Sequence, residues 1–263
     1  GIILESPDKY LNPAGSEEAT GVASCFLIKI STDEGITGWS DVETAPHVAS
    51  SLIGAPRTGA DMMEGIRFAH EHDVKVYVTA NILAHNYDLE GVREYFKELK
   101  EIKPDALIIA DPGVFEIAKE VCPEIERHIS TQANNTNYGT YQFWYQMGAK
   151  RVVTARELSL EEIREIRSRI PEDMEIETFI HGAMCISYSG RCLLSNYLTG
   201  RDSNQGACTH PCRWKYSVME ESRPGEYFPV YENERGTFIF NSKDLCMIEH
   251  IPDLINAGID SFK

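Results

Sequence analysis

Four cysteines fall within 28 positions: Cys185 and Cys192 with six residues between them, then Cys208 and Cys212 with three between. Thiolates are soft, strong donors, so four of them can hold a tetrahedral zinc ion or the four irons of a cubane cluster. Zinc sites favour two tight pairs with roughly two to four intervening residues. Only the second pair follows that habit, so the spacing favours a 4Fe-4S cluster, with zinc as the alternative. Four buried cysteines that merely pack are the bland reading. Against it stand Gly190, Gly206 and Pro211, residue types that let a backbone wrap an inserted group.

The charge around these cysteines differs from that of the chain. Lys and Arg number 25 against 41 Asp and Glu, a net charge of −16, which argues against general binding to nucleic acid or anionic membrane. Between Cys185 and Tyr216, however, Arg191, Arg201, Arg213 and Lys215 face Asp202 alone, a local net charge of +3. These four cations are the candidate substrate-binding residues for an anionic ligand. Compensation of the thiolates' own charge accounts for them equally well. Tyr188, Tyr197, Trp214 and Tyr216 could stack on bases, although each alone fits a core position better.

The elements that must position this segment follow an α/β rhythm. From about residue 74, apolar runs of strand length alternate with stretches of helical periodicity, the pattern of a parallel sheet or barrel. Strands are expected at Val74–Ile82, Ala106–Ala110, His128–Gln132, Arg151–Ala155, Glu175–Ile180, Thr237–Phe240 and Asp260–Phe262. Helices are expected at Leu89–Ile102 and at Ser159–Arg169, the latter opened by Ser159 and Glu162 as a capping box. Seven strands approach the eight of a TIM barrel, whose reactive residues sit at the C-terminal strand ends. Here those ends carry Asn81, His85, Asp111, Gln132, Arg156, Glu157 and His181, each of which alone is as readily a helix cap or a satisfied loop residue. The fold class expected is α/β, a TIM-barrel-like domain that is incomplete.

The first 59 residues read differently. Val22–Ile30 and Ile36–Val42, joined by a turn at 32–35, form a β-hairpin, and a Gly, Pro, Arg and Thr cluster at 54–59 marks a boundary. Two units follow: residues 1–59, β-rich, and residues 60–263, the α/β domain. No run reaches the roughly 18 apolar residues of a membrane span, and no signal segment is recognisable, so a cytoplasmic protein without a membrane partner is expected.

Glu177-Thr-Phe179, His181-Gly-Ala-Met-Cys185, Gly190-Arg-Cys192, Arg201-Asp-Ser-Asn-Gln-Gly206, Cys208 to Trp214 and Asn241-Ser-Lys-Asp-Leu245 together resemble the signature of the collagenase-like peptidases, family U32. The likeness covers residues 60–263 and is greatest to the branch that hydroxylates the wobble uridine of tRNA. It implies a barrel-like catalytic domain, a 4Fe-4S cluster on Cys185, Cys192, Cys208 and Cys212, prephenate as co-substrate and tRNA as partner. Cys246 is an alternate last ligand. His181, Glu177 and Arg156 are the candidate catalytic residues. Residues 20–58 resemble an enolase-superfamily capping fragment, without that superfamily's lysine bases or acidic metal ligands. The runner-up function is proteolysis, for which His181 is the strongest base, yet no His-Glu-x-x-His or Gly-x-Ser-x-Gly pattern accompanies it. A fused or truncated, inactive barrel is the third reading.

Overall fold

The computed structural model describes residues 3–4, 26–31, 37–42, 59–213, 217–218, 221–222, 224–226, 228–229 and 244–263. Near the N-terminus, β1 (Ile3–Leu4), β2 (Phe26–Ser31) and β3 (Thr37–Val42) form an antiparallel sheet in the order β1-β2-β3. The hairpin expected there is present, with Phe26 opposite Val42 and Ser31 opposite Thr37.

The main domain begins with α1 (Gly59–His70) and alternates thereafter: β4 (Tyr77–Ala80), α2 (Leu89–Ile102), β5 (Ala106–Ile109), α3 (Pro112–Val121), β6 (Glu126–Ile129), α4 (Tyr138–Met147), β7 (Arg151–Val153), α5 (Leu160–Arg169) and β8 (Glu175–Thr178). After these come β9 (His181–Ala183), α6 (Leu194–Thr199), β10 (Ser217–Val218), β11 (Phe228–Pro229), β12 (Asp244–Cys246), α7 (Ile251–Asn256) and β13 (Ser261–Phe262). Six strands make one curled, all-parallel sheet in the order β13-β8-β7-β6-β5-β4, a half-barrel open at β4 and β13.

Alternation along each strand divides the sheet into two chemistries. Leu107, Ile109, Ile129, Val152 and Ile176 face the helices and pack with Phe96, Leu99, Phe115, Trp144, Ile163 and Ile166 into the core. The opposite face, the inside of the curl, carries Ala106, Ile108 and Val153 together with a polar layer. Arg151 donates from Nε and Nη2 to Glu175 Oε2 at 2.8 and 2.6 Å and from Nη1 to Glu177 Oε2 at 2.9 Å. Ser261 Oγ also donates to Glu177, at 3.1 Å. The Arg151 guanidinium lies 5.3 Å from the Tyr77 ring, whose edge meets His128.

Local chemistry explains the element boundaries. In α5, Ser159 Oγ accepts from Glu162 N at 3.3 Å while the Glu162 carboxylate accepts from Ser159 N at 2.8 Å, the expected capping box. Asp111 caps α3 through Gly113 N and Val114 N at 2.7 and 3.0 Å, with Pro112 in the first turn. Two strand expectations are corrected. The third sheet strand covers Glu126–Ile129, because Ser130 Oγ accepts from Gln132 N and converts 131–133 into a 3₁₀ turn. The run at Glu175–Ile180 leaves the sheet after Thr178 and returns as β9, which pairs antiparallel with β12. The strand expected at Thr237–Phe240 lies outside the described residues. Among the described residues no helix is long and apolar enough to cross a membrane.

Two stability measurements check this account. Ser159→Ala removes one side of the capping box and is expected to cost about 1 kcal/mol in urea unfolding followed by far-ultraviolet circular dichroism. Burial holds the His128 imidazole below its ordinary pKa of 6.5, and Arg151 adds to the depression. The unfolded chain therefore binds a proton there before the folded one does, so stability present above that pH is lost as the pH falls below it. His128→Phe, which keeps a ring against Tyr77, is expected to flatten the pH dependence of the unfolding midpoint between about pH 7 and 5; an unchanged slope would contradict the assignment.

Candidate functional site

Because all six sheet strands run the same way, their C-terminal ends open onto one mouth, and the cysteine-bearing segment is tied across it at three points. At the end of β4, Leu83 N donates to Asn204 O at 3.0 Å, and Gln205 Nε2 donates to Leu83 O at 2.6 Å. Beyond β6, Asn134 Nδ2 donates to Ser189 O at 3.1 Å and Gly190 packs on the Gln132 side chain. Gly190 has φ +70°, and a Cβ there would lie 3.1 Å from Gln132 Cβ, so the close approach favours glycine. Beyond β7, Arg156 Nη1 donates to Cys185 Sγ at 3.0 Å.

The sulfurs themselves accept hydrogen bonds. Leu194 N donates to Cys192 Sγ and His210 N to Cys208 Sγ, each at 3.4 Å, so Cys185, Cys192 and Cys208 each receive an N–H. Burial pushes the Cys208 thiol up in pKa, the His210 N–H opposes this, and the charges of Cys212, Cys185 and Cys192 push it further up. Among the described residues no three His, Cys, Asp or Glu side chains converge closely enough to hold one metal ion.

A second set of hydroxyls fixes the segment between the two cysteine pairs. Ser195, fully buried, exchanges a 3.0 Å hydrogen bond with Thr209 Oγ1 and accepts from Thr209 N at the same distance. Thr199 Oγ1 reaches Thr209 Oγ1 at 3.0 Å and donates to Ser195 O at 2.7 Å. The face of α6 that carries Ser195 is thereby pinned beside Cys208.

The other expected site residues are placed as follows. Arg156 lies 4.4 Å over the Phe179 ring, as does Lys263 at 5.7 Å, and its buried Nε has no hydrogen-bond partner among the described residues. Glu177 is only 5% exposed, and its carboxylate is committed to Arg151 and Ser261. His181 is exposed, on β9 opposite Cys246, which is also exposed. Asp111 is the α3 cap, and Asn81 Nδ2 donates to Ser130 Oγ at 3.5 Å. Arg191 is exposed and Arg201 half-buried, and among the described residues neither makes an ion pair. The side chain of Arg213, together with Lys215, Trp214 and Tyr216, lies outside the described residues. Cys122 is fully buried, and burial pushes its thiol up to about 11, as befits an inert packing cysteine; Cys25 is outside the described residues. Tyr188 and Tyr197 are 50% and 86% exposed, which corrects the expectation that each fills the core. The anchors Asn134, Asn204 and Thr209 were not among the expected site residues, although Asn204 and Thr209 lie within the family motif, and Asn134 is the left-handed cap after a serine-initiated turn.

A family model described as Peptidase family U32 matches residues 57–263. A protein of Bacillus subtilis named tRNA hydroxylation protein P1 is 45% identical over 262 residues, covering 100% of this chain and 59% of that one. The Escherichia coli tRNA hydroxylation protein P is 44% identical over 238 residues, covering 76% and 52%. A 23S rRNA 5-hydroxycytidine synthase of the same organism is 36% identical over 231 residues, covering 84% and 34%. The chain thus spans between half and three-fifths of the length of the two tRNA hydroxylation proteins. Since the family model extends over the whole half-barrel and the cysteine segment that crosses its mouth, the protein belongs to peptidase family U32.

Proposed function

We propose that this chain carries the cluster-binding, substrate-facing part of an enzyme that hydroxylates a pyrimidine of RNA, namely C5 of the wobble uridine of tRNA, in the cytoplasm. The observation that carries the reading is the cysteine-bearing segment tied across the mouth of the parallel sheet, in which the Sγ atoms of Cys185, Cys192 and Cys208 each accept an N–H. Relatives named for tRNA hydroxylation and for rRNA hydroxycytidine synthesis supply the substrate class.

The residues fit a 4Fe-4S cluster held by Cys185, Cys192, Cys208 and Cys212. Backbone and guanidinium donors stabilise thiolate charge, and a cubane takes one thiolate per iron, so its ligands need not converge on a single point as those of zinc must. When bound, such a cluster supplies one-electron redox chemistry beside the substrate. Arg156 orients Cys185 and, held against Phe179, keeps a positive charge at the mouth. Together with Lys263 on the same ring it offers the fixed cations that prephenate, a dicarboxylate, would require. Glu177 acts on Arg151 rather than on substrate, and His181, exposed at the segment's entry, is available to move a proton.

Anaerobic reconstitution followed by iron and sulfide analysis tests the cofactor. Wild type should bind close to four irons per chain, and Cys208→Ala should lose most of the iron and the associated absorbance; a colourless, zinc-containing wild type would refute the assignment. Mass spectrometry of tRNA incubated with the reconstituted protein, prephenate and a two-electron acceptor, with water as the oxygen source, should show 5-hydroxyuridine at the wobble position. For Arg156→Gln we expect iron content near wild type with a reduction potential shifted to more negative values, because a cationic N–H donor to sulfur favours the reduced, more negative cluster. An unchanged potential would remove Arg156 from this role.

A further inference from the structure

The fold turns a set of apolar and cationic side chains outward beside the cysteines. In α6 the pinned residue is Ser195, and Tyr197, two positions on and about 200° around the helix, points the opposite way. Leu193, four residues before Tyr197 and on the same face, is 66% exposed. Tyr188, 50% exposed, begins the turn that Arg191 N closes onto Tyr188 O at 3.1 Å, immediately before Cys192. The loop after β4, bonded to Asn204, brings in Tyr87, 77% exposed and stacked with His85 at 5.4 Å and 15°. Arg191 and Arg201 flank this set without an ion pair among the described residues.

Tyr87, Tyr188 and Tyr197 lie on segments that the Leu83–Asn204 and Asn134–Ser189 bonds tie to the same strand ends, so the rings are exposed on the side of the sheet that carries the cysteines. The charge of an occupant is indicated by the surroundings. In a chain of net charge −16, a stretch that carries Arg191, Arg201, Arg213 and Lys215 against Asp202 alone attracts an anion and repels an acidic protein surface. Flat rings interleaved with guanidinium groups suit an unpaired polynucleotide, whose bases offer π-faces and whose phosphates offer charge; a base-paired helix hides those faces.

We infer that Tyr87, Tyr188 and Tyr197, with Arg191 and Arg201, form a docking platform for the unpaired nucleotides of an RNA loop, steering one base toward the cysteine mouth. This rests on the proposed RNA-hydroxylating function and adds the surface through which the RNA is held.

Fluorescence anisotropy with a labelled anticodon stem-loop, and with a fully paired duplex of equal length, tests the platform on the reconstituted chain. Wild type should bind the stem-loop well ahead of the duplex. Tyr188→Ala/Tyr197→Ala should weaken stem-loop binding by tenfold or more with an unchanged salt dependence, since stacking is lost and no phosphate contact is. Arg191→Gln/Arg201→Gln should instead flatten the log-log salt dependence by about 1.4, roughly 0.7 for each phosphate contact to a single strand. Phe143→Ala, an equally exposed ring on α4, should leave binding unchanged, and iron content and circular dichroism should match wild type in every variant. If wild type binds the stem-loop and the tyrosine pair binds it equally well, the platform is wrong while the function stands. Should wild type bind no RNA at all, the functional reading itself falls. A wild-type dimer in sedimentation that becomes a monomer in the tyrosine variant, with RNA affinity unchanged, would show that a second copy occupies the surface and overturn the inference.

Discussion

Parallel pairing is the constraint on which the rest of the molecule depends. In an antiparallel sheet successive strand ends point in opposite directions, whereas β4 to β8 and β13 all release their chains on one side. The βα connections and the cysteine segment are thereby gathered at a single mouth without any one contact having to be strong. Each tether across that mouth is an ordinary hydrogen bond, of the kind made at Asn204, Ser189 and Cys185. Distributed over the ends of β4, β6 and β7, the three act on a common body.

The inside of the curl shows how the half-barrel differs from a packed TIM core, whose interior is dominated by branched apolar residues. Arg151 sits between Glu175 and Glu177 with Tyr77 and His128 close by, so this face holds a hydrogen-bonded ionic layer. Burial alone would raise the Glu175 pKa, yet its bonds to Arg151 hold it below the usual value. Such a layer contributes little net stability once desolvation is counted, but removal of one member leaves a buried charge without its partner. Its geometry demands that β7, β8 and β13 keep their register, since a slip of one residue would turn Arg151 and the two glutamates to opposite faces.

Features written in neighbouring residues were legible in the sequence. Helix α2 spans the expected Leu89–Ile102, and the Ser159–Glu162 capping box is formed, because both depend on contacts three or four positions apart. The cysteines were recognisable by residue type, and the motif around them by family. What escaped was tertiary. The Asn134 link to Ser189 joins residues 55 positions apart, and the tie between Gln205 and Leu83 joins residues 122 apart, with no local pattern to announce either. Tyr197, expected in the core, is exposed on α6 for a different reason. The inward face of the helix is polar and its outward face apolar, the reverse of the rule by which amphipathic helices are oriented, and only the hydroxyls of Thr199 and Thr209 around Ser195 show why.

Those three hydroxyls have a thermodynamic corollary. They join α6 to the strand of chain that carries Cys208, so a change in the order of one would be felt by the other. Anything that binds only the ordered form through one of them raises the population of the other, and the free energy of that coupling is the same read in either direction. A ligand on the outer face of the helix and a metal on the sulfur beneath it would then be cooperative without touching, through the loss of disorder in a six-residue helix.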